Sequence, residues 1–243
     1  MFFLWVVDLM KKFLIRIISG LIPNKNCRRN VRNAMMVGGG TTQNRGKNNR
    51  IVHIDANGRR HNVHRLPGCK ISFRGNDNYI EVWGDLNQMR MDVKMQNNSK
   101  IIIKPSSYEH RNFKIRGMQN CTLLVGKNFF MDGVCEMIFA DNTNITIGDD
   151  TMIATGSYIR TGDGHQILSD GAVINKNADV YIGNRVWVGY HVTILKGTYI
   201  MDDCVVGARS LVNRKFDASN VVIAGAPAKI IKRNITWNRQ KVD

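Results

Sequence analysis

Apolar residues recur at every sixth position over the last third of this 243-residue chain: Ile182, Val188, Ile194, Ile200, Val206 and Val212. A companion row two residues earlier, Val180, Val186, Val192, Thr198, Cys204 and Ser210, keeps the same stride with smaller side chains toward its end. An α-helix repeats about every 3.6 residues and a pleated strand every second one, so neither produces this period. The pattern fits a parallel β-helix of hexapeptide repeats, in which each short strand turns a corner and stacks on the coil before it. The rhythm returns at Ile147, Ile153 and Ile159, and at Val125, Met131 and Met137. It breaks between Ile159 and Ile182, whose separation of 23 residues is not a multiple of six. A segment containing His165 is therefore expected to leave the stack there.

Shorter alternating stretches at Ile71 to Phe73, Tyr79 to Val82, Met91 to Val93, Ile101 to Ile103 and Phe113 to Ile115 read as less regular coils of the same helix. Regular coils are expected from about residue 121 to Val212. The run from Gly38 to Asn49 is rich in glycine, asparagine and arginine and reads as a linker. The expected organisation is thus residues 1–49 as an N-terminal amphipathic helix and basic linker, and residues 50–243 as an all-β domain ending in a C-terminal helical tail or arm. In the first segment Phe2, Trp5, Val6, Leu9, Phe13 and Ile17 share one helical face, and Pro23 ends the helix. Asp8, Lys11, Lys12 and Arg16 interrupt it too often for a membrane span, and no cleavable leader pattern is present. Two roles stay open for this helix: peripheral contact with the inner membrane surface, aided by Lys25, Arg28, Arg29 and Arg32, or docking on the β-helix or a neighbouring subunit.

A formal charge of +16 points to a polyanionic partner: an anionic glycan, a phosphate-bearing cofactor or a lipid surface. No RNA- or DNA-binding signature accompanies it, which argues against nucleic acid. The five cysteines are dispersed, odd in number and without a CxxC pair, which argues against a disulfide framework or zinc knuckle and fits a reducing, cytoplasmic setting. His53, His61, His64 and His110 lack metal-ligand spacing, and His191, next to inward-facing Val192, is expected to point outward. No metal is expected.

Three stretches carry a resemblance: Thr161-Gly162-Asp163-Gly164-His165-Gln166-Ile167, Ile182-Gly183-Asn184-Arg185-Val186-Trp187-Val188-Gly189, and Ala224-Gly225-Ala226-Pro227-Ala228-Lys229. Together they resemble the hexapeptide-repeat acyltransferases with a left-handed parallel β-helix, and most closely the branch that O-acetylates sugars of capsules and lipopolysaccharide. The resemblance covers roughly residues 121 to 235 well and the N-terminal half loosely. It implies an acetyl-CoA-dependent O-acetyltransferase and a homotrimer with active sites between subunits. It also implies that a histidine on the excursion is the general base, and His165 is the match. An imidazole, ordinarily titrating at ~6.5, can take the proton of a sugar hydroxyl as that oxygen attacks a thioester.

Asp163, two residues before His165, is placed to orient its ring, and by the same resemblance Trp187, facing outward, contacts acceptor or cofactor. Backbone N–H groups near Gly189 and Tyr190 serve the oxyanion and the cofactor. The run from Gly207 to Arg214 lines the cofactor, with Ala208 along the pantetheine arm and Arg214 toward the nucleotide, while Lys229 and Lys232 face its phosphates. Asp132 and Glu136 lie in the coil expected to hold the acceptor hydroxyl. Arg209 departs from the family pattern, which places a small residue there. Two alternatives remain from the sequence: an N-acyltransferase acting on an amino sugar, and a non-catalytic glycan-binding scaffold.

Overall fold

The computed structural model describes residues 40–86, 89–108 and 111–240. The expected amphipathic helix and Cys27 lie outside the described residues. Among the described residues there are strands and turns but no helix, so the all-β expectation holds.

The strands stack into three long faces. Face I has eight strands, from Thr41–Asn44 to Leu211–Val212; face II has nine, including Arg50–Ile54 and Lys215–Phe216; face III has six, from Phe130–Met131 to Ala228–Lys232. The chain visits them cyclically, as in Met152–Ile153 on III, Tyr158–Arg160 on I and Val180–Ile182 on II. Stacking neighbours pair in parallel and in register: Ile153 with Val188, Val188 with Val206, and Val206 with Ile223. All six residues of the leading apolar row are fully buried, and the companion row is no more than 2% exposed. Its polar members are satisfied inside. Thr198 Oγ1 donates to the Val212 carbonyl at 3.0 Å and Ser210 Oγ to the Gly207 carbonyl at 2.7 Å.

Two coil lengths coexist. Ile71, Val93, Ile115, Met137 and Ile159 are successive register partners on face I, each 22 residues after the last. From Val188 to Val206 the repeat is 18 residues, three hexapeptides. The N-terminal half is therefore regular by the coil but not by the stride of six, which is why its spacing looks irregular in the sequence. Its longer coils bulge at the corner from face I to face II, where Asn98, Asn120 and Asn142 adopt left-handed φ near +55° (51°, 52° and 59°). Their amides form a ladder, Asn98 to Asn120 at 3.3 Å and Asn120 to Asn142 at 3.0 Å. Asparagine tolerates this conformation better than other side chains with a Cβ.

The ends differ from expectation. Thr41–Asn44 already pairs with Lys70–Phe73, so the stack includes residues assigned to the linker and starts before residue 50. The tail is not helical. Ala228–Lys232 folds back through a cis Ala226–Pro227 bond and pairs antiparallel with Val222–Gly225. That strand covers the last open edge of face III, which a helix could not do by backbone pairing. Beyond it an arm climbs the corner between faces II and III. Trp237 Nε1 donates to the Arg185 carbonyl at 2.8 Å, and Arg239 Nη2 to the Asp150 and Asn128 carbonyls at 2.9 and 3.2 Å.

Candidate active site

One pairing step is anomalous. Ile159 on face I pairs with Ile194, 35 residues on, where its neighbours on either side step by 22 and 18. The surplus over an 18-residue coil leaves the stack after Thr161 and returns at Ala178, whose N–H donates to the Thr161 carbonyl at 3.0 Å. The two feet of the excursion are thus stitched together. Thr161 is buried, and its hydroxyl lies 2.6 Å from that of Thr143 on the coil above. The exit needs a glycine. A Cβ on Gly162 would stand 2.5 Å from the Ala140 Cβ and 2.4 Å from Asn177 Oδ1. At the far end, Leu168–Ser169 and Ala172–Val173 form a short antiparallel hairpin. Its turn is Asp170-Gly171, both with positive φ (50° and 75°), the chemistry of a two-residue hairpin loop.

His165 lies exposed on this excursion. It borders an open cleft of about 520 Å³ together with Gln166, Val173, Asn175, Lys176 and Asn177 of the excursion and Ala140 and Asp141 of the corner above. The cleft exists because the last 22-residue coil bulges at the same corner where the excursion departs. The His165 ring has no hydrogen-bond partner among the described residues, and the residue lines the cleft.

Asp163 does not orient that ring. Its carboxylate is held by Lys196 from the coil below and by Asn175 Nδ2 at 2.9 Å. The Lys196 ammonium, with help from Asn175, holds the Asp163 carboxyl below its ordinary value. Asn175 also donates to the His165 carbonyl at 2.8 Å and accepts the Ile167 N–H at 2.7 Å, while Lys196 Nζ donates to the Asn175 carbonyl at 2.7 Å. Asp163, Asn175 and Lys196 therefore fix the backbone that carries His165. The sequence reading missed Asn175 and Lys196, because nothing local ties residue 196 to residue 163.

The remaining candidates fall on two corners. Gly189, Tyr190 and Ala208 stack at the corner from face III to face I: a Cβ on Gly189 would be 2.8 Å from the Ala208 nitrogen, and the Arg209 N–H donates to the Tyr190 carbonyl at 2.8 Å. Lys229 pairs with Ala224 on the hairpin just beyond, and Lys232 lies at its other end. Asp132 is exposed higher on this corner, its N–H donating to the Ile153 carbonyl. The Gly189 N–H is committed to the Val206 carbonyl at 2.8 Å, so it is unavailable to an oxyanion.

Arg214, by contrast, is exposed on the His165 corner, two residues after Val212. Glu136 sits between the two corners on face I, paired with Lys114 at 2.7 Å and in register with Tyr158. Trp187 faces outward from face III, 39% exposed, and its ring lies 6.1 Å from that of Trp237 of the arm. Trp237 had no signal in the sequence beyond being an aromatic in a polar tail. Arg209 is exposed at a left-handed corner position (φ 58°).

No model of a known protein family matches the chain. It is 36% identical over 168 residues to the polysialic acid O-acetyltransferase of Neisseria meningitidis, covering 68% of this chain and 78% of that protein. It is 35% identical over 136 residues to the polysialic acid O-acetyltransferase of Escherichia coli O1:K1 / APEC, covering 54% of this chain and 44% of that protein, so it spans less than half of that relative's length. The crystal structure of the polySia-specific acetyltransferase NeuO matches with a TM-score of 0.71 at 28% identity, over 83% of this chain and 89% of that one. A histidine extruded from a hexapeptide stack, in a chain so close to these enzymes over most of the Neisseria protein, makes this a member of the hexapeptide-repeat O-acetyltransferases with a left-handed parallel β-helix.

Proposed function

We propose that this enzyme transfers acetyl from acetyl-CoA to a sugar hydroxyl of a bacterial surface polysaccharide or its precursor. The observation that carries the reading is His165, held in the 520 Å³ cleft on the one excursion of the described stack, in a chain whose relatives are named for polysialic acid. His165 takes the proton of the accepting hydroxyl as that oxygen attacks the acyl carbonyl. The backbone that carries the imidazole is held for this role by Asn175, itself bonded to Asp163 and Lys196. The Tyr190 N–H is the donor offered to the developing oxyanion, since that of Gly189 is spent in the ladder.

The donor fits the corner of Gly189, Gly207–Ala208 and Ala224–Gly225. Small residues there recur on three successive coils and let an extended pantetheine arm lie against backbone. Lys229, Lys232 and Arg214, all exposed, supply positive charge for its phosphates. In one chain, however, this corner and the His165 corner are separated by the width of face I. A homotrimer, with the His165 excursion of one subunit meeting the small-residue corner of the next, completes the site. The excursion presents three aliphatic side chains for that contact: Ile167, Leu168 and Ile174 are 55%, 59% and 62% exposed. Cytoplasmic residence with peripheral membrane contact through residues 1–22 belongs to the same reading.

The test is acetyl transfer with thiol release, using oligosialic acid and an amino-sugar acceptor, for wild type and His165→Ala. We expect O-acetylation by wild type and a fall of roughly 10²- to 10⁴-fold in kcat for the variant with acetyl-CoA binding retained. Preferential N-acylation, or a variant as active as wild type, would overturn the reading.

A further inference from the structure

Arg160 is a half-buried cation beside the proposed base, and its guanidinium makes no hydrogen bond among the described residues. It is the last residue of the strand Tyr158–Arg160, immediately before the excursion. It lies on the outer side of face I, since Ile159 is fully buried and points inward. Its register partner on the coil above is Ile138, and Leu195 follows Ile194, the partner of Ile159, on the coil below. The guanidinium stem is thus flanked by apolar side chains, and Arg160 Nε is buried with no hydrogen-bond partner. The head reaches the excursion: a Cβ on Gly164 would lie 3.2 Å from Arg160 Nη2.

Neighbouring cations of face I are matched. Lys114 pairs with Glu136, and Arg116 with Asp92. The carboxylate within electrostatic reach of Arg160 is Asp163, and it is already engaged by Lys196 and Asn175. The buried Nε is closed to an incoming ligand, whereas the terminal Nη groups, which reach toward Gly164 and make no hydrogen bond among the described residues, are open to an anion. A guanidinium presents its N–H groups as a planar fork, the geometry that matches a carboxylate with two parallel hydrogen bonds.

We propose that Arg160 binds a carboxylate of the acceptor glycan and so sets the enzyme's specificity for an acidic sugar. The inference rests on the O-acetyltransferase reading and deepens it. With the carboxylate on Arg160, next to Gly164, a hydroxyl of the same or the adjoining sugar is presented to His165. The acceptor's charge then fixes which oxygen is placed at the base.

The experiment compares oligosialic acid with the same oligomer after amidation of its carboxylates, using full-length wild type, Arg160→Gln and Arg160→Lys. Wild type is expected to favour the acid about 10- to 100-fold in kcat/KM, the range for a charge-assisted hydrogen-bonded pair. Arg160→Gln should bring the two acceptors within about threefold of each other, through a raised KM for the acid, with KM for acetyl-CoA unchanged. Arg160→Lys keeps the charge but loses the fork, and should recover only part of the preference.

A raised KM for acetyl-CoA instead would overturn the proposal and assign the anion to a phosphate of the donor. Unchanged acceptor preference with loss of the assembled oligomer would overturn it in favour of a carboxylate from a second copy of the chain. Equal wild-type rates on both acceptors would remove the role of Arg160 and leave the transferase reading intact. A wild type that acetylates neither would overturn the transferase reading on this acceptor, and the Arg160 assignment with it.

Discussion

At the residue scale, the proposed base His165 is carried by a backbone that other side chains hold in place. Asp163, Asn175 and Lys196 form one hydrogen-bonded group under the excursion. Because the folded-state value of Asp163 is depressed, its contribution is present above the unfolded carboxylate value and is lost only as pH falls through the lower folded one. The group is therefore intact across any neutral assay range. We predict that Lys196→Met lowers kcat several-fold, on the order of 1 kcal/mol of lost positioning. Steady-state kinetics, with KM for acetyl-CoA as control, checks this; an unchanged kcat would show that the clasp does not position His165 and would return Asp163 as a direct partner of the ring. The two-residue spacing of Asp163 and His165 suggested such a link in the sequence. The folded chain turns the carboxylate toward a lysine 33 residues away instead.

At the scale of elements, the C-terminal arm acts as a strap along one corner. It meets the carbonyls of residues whose left-handed conformation turns them outward: Asn128, Asp150 and Arg185 have φ of 52°, 56° and 51°. The Arg239 guanidinium also lies over the Tyr108 ring, 4.2 Å from its centroid. Asn220 and Ile235 exchange two further bonds at the foot of the arm. These contacts tie coils that otherwise touch only their immediate neighbours. Replacing Trp237 and Arg239 together by alanine should cost about 2–3 kcal/mol and lower Tm by roughly 4–10 °C. Thermal unfolding followed by circular dichroism checks this; an unchanged Tm would mean the arm is a passive covering. The expected helix in this tail failed for a physical reason. Its apolar residues are too few to give a helical face, whereas extended backbone can pair with the open edge of face III and then with corner carbonyls.

For the whole molecule, the coil stack supplies stability and the mismatches between coils supply the site. The face I to face II corner changes from a 22-residue bulge to the excursion and then to a tight 18-residue turn, and the His165 cleft opens at that change. The candidate residues occupy two corners of one chain, and the aliphatic tip of the excursion lies exposed. Leu168→Ser combined with Ile174→Ser should therefore convert the proposed trimer to smaller species by light scattering, while the β-sheet spectrum is kept. Oligomers of unchanged mass would place the subunit contact elsewhere. What the sequence determined by itself was the inward row, the strand register of the last coils and the point where the excursion leaves. An apolar period is written residue by residue and forces the same side chains inward on every coil. Only the tertiary structure decided the 22-residue repeat, the start of the stack at Thr41, the Lys196 clasp on Asp163 and the half-buried Arg160 at the foot of the excursion. Those depend on how much chain each corner consumes, and hence on which residues 18 to 35 positions apart come to lie side by side.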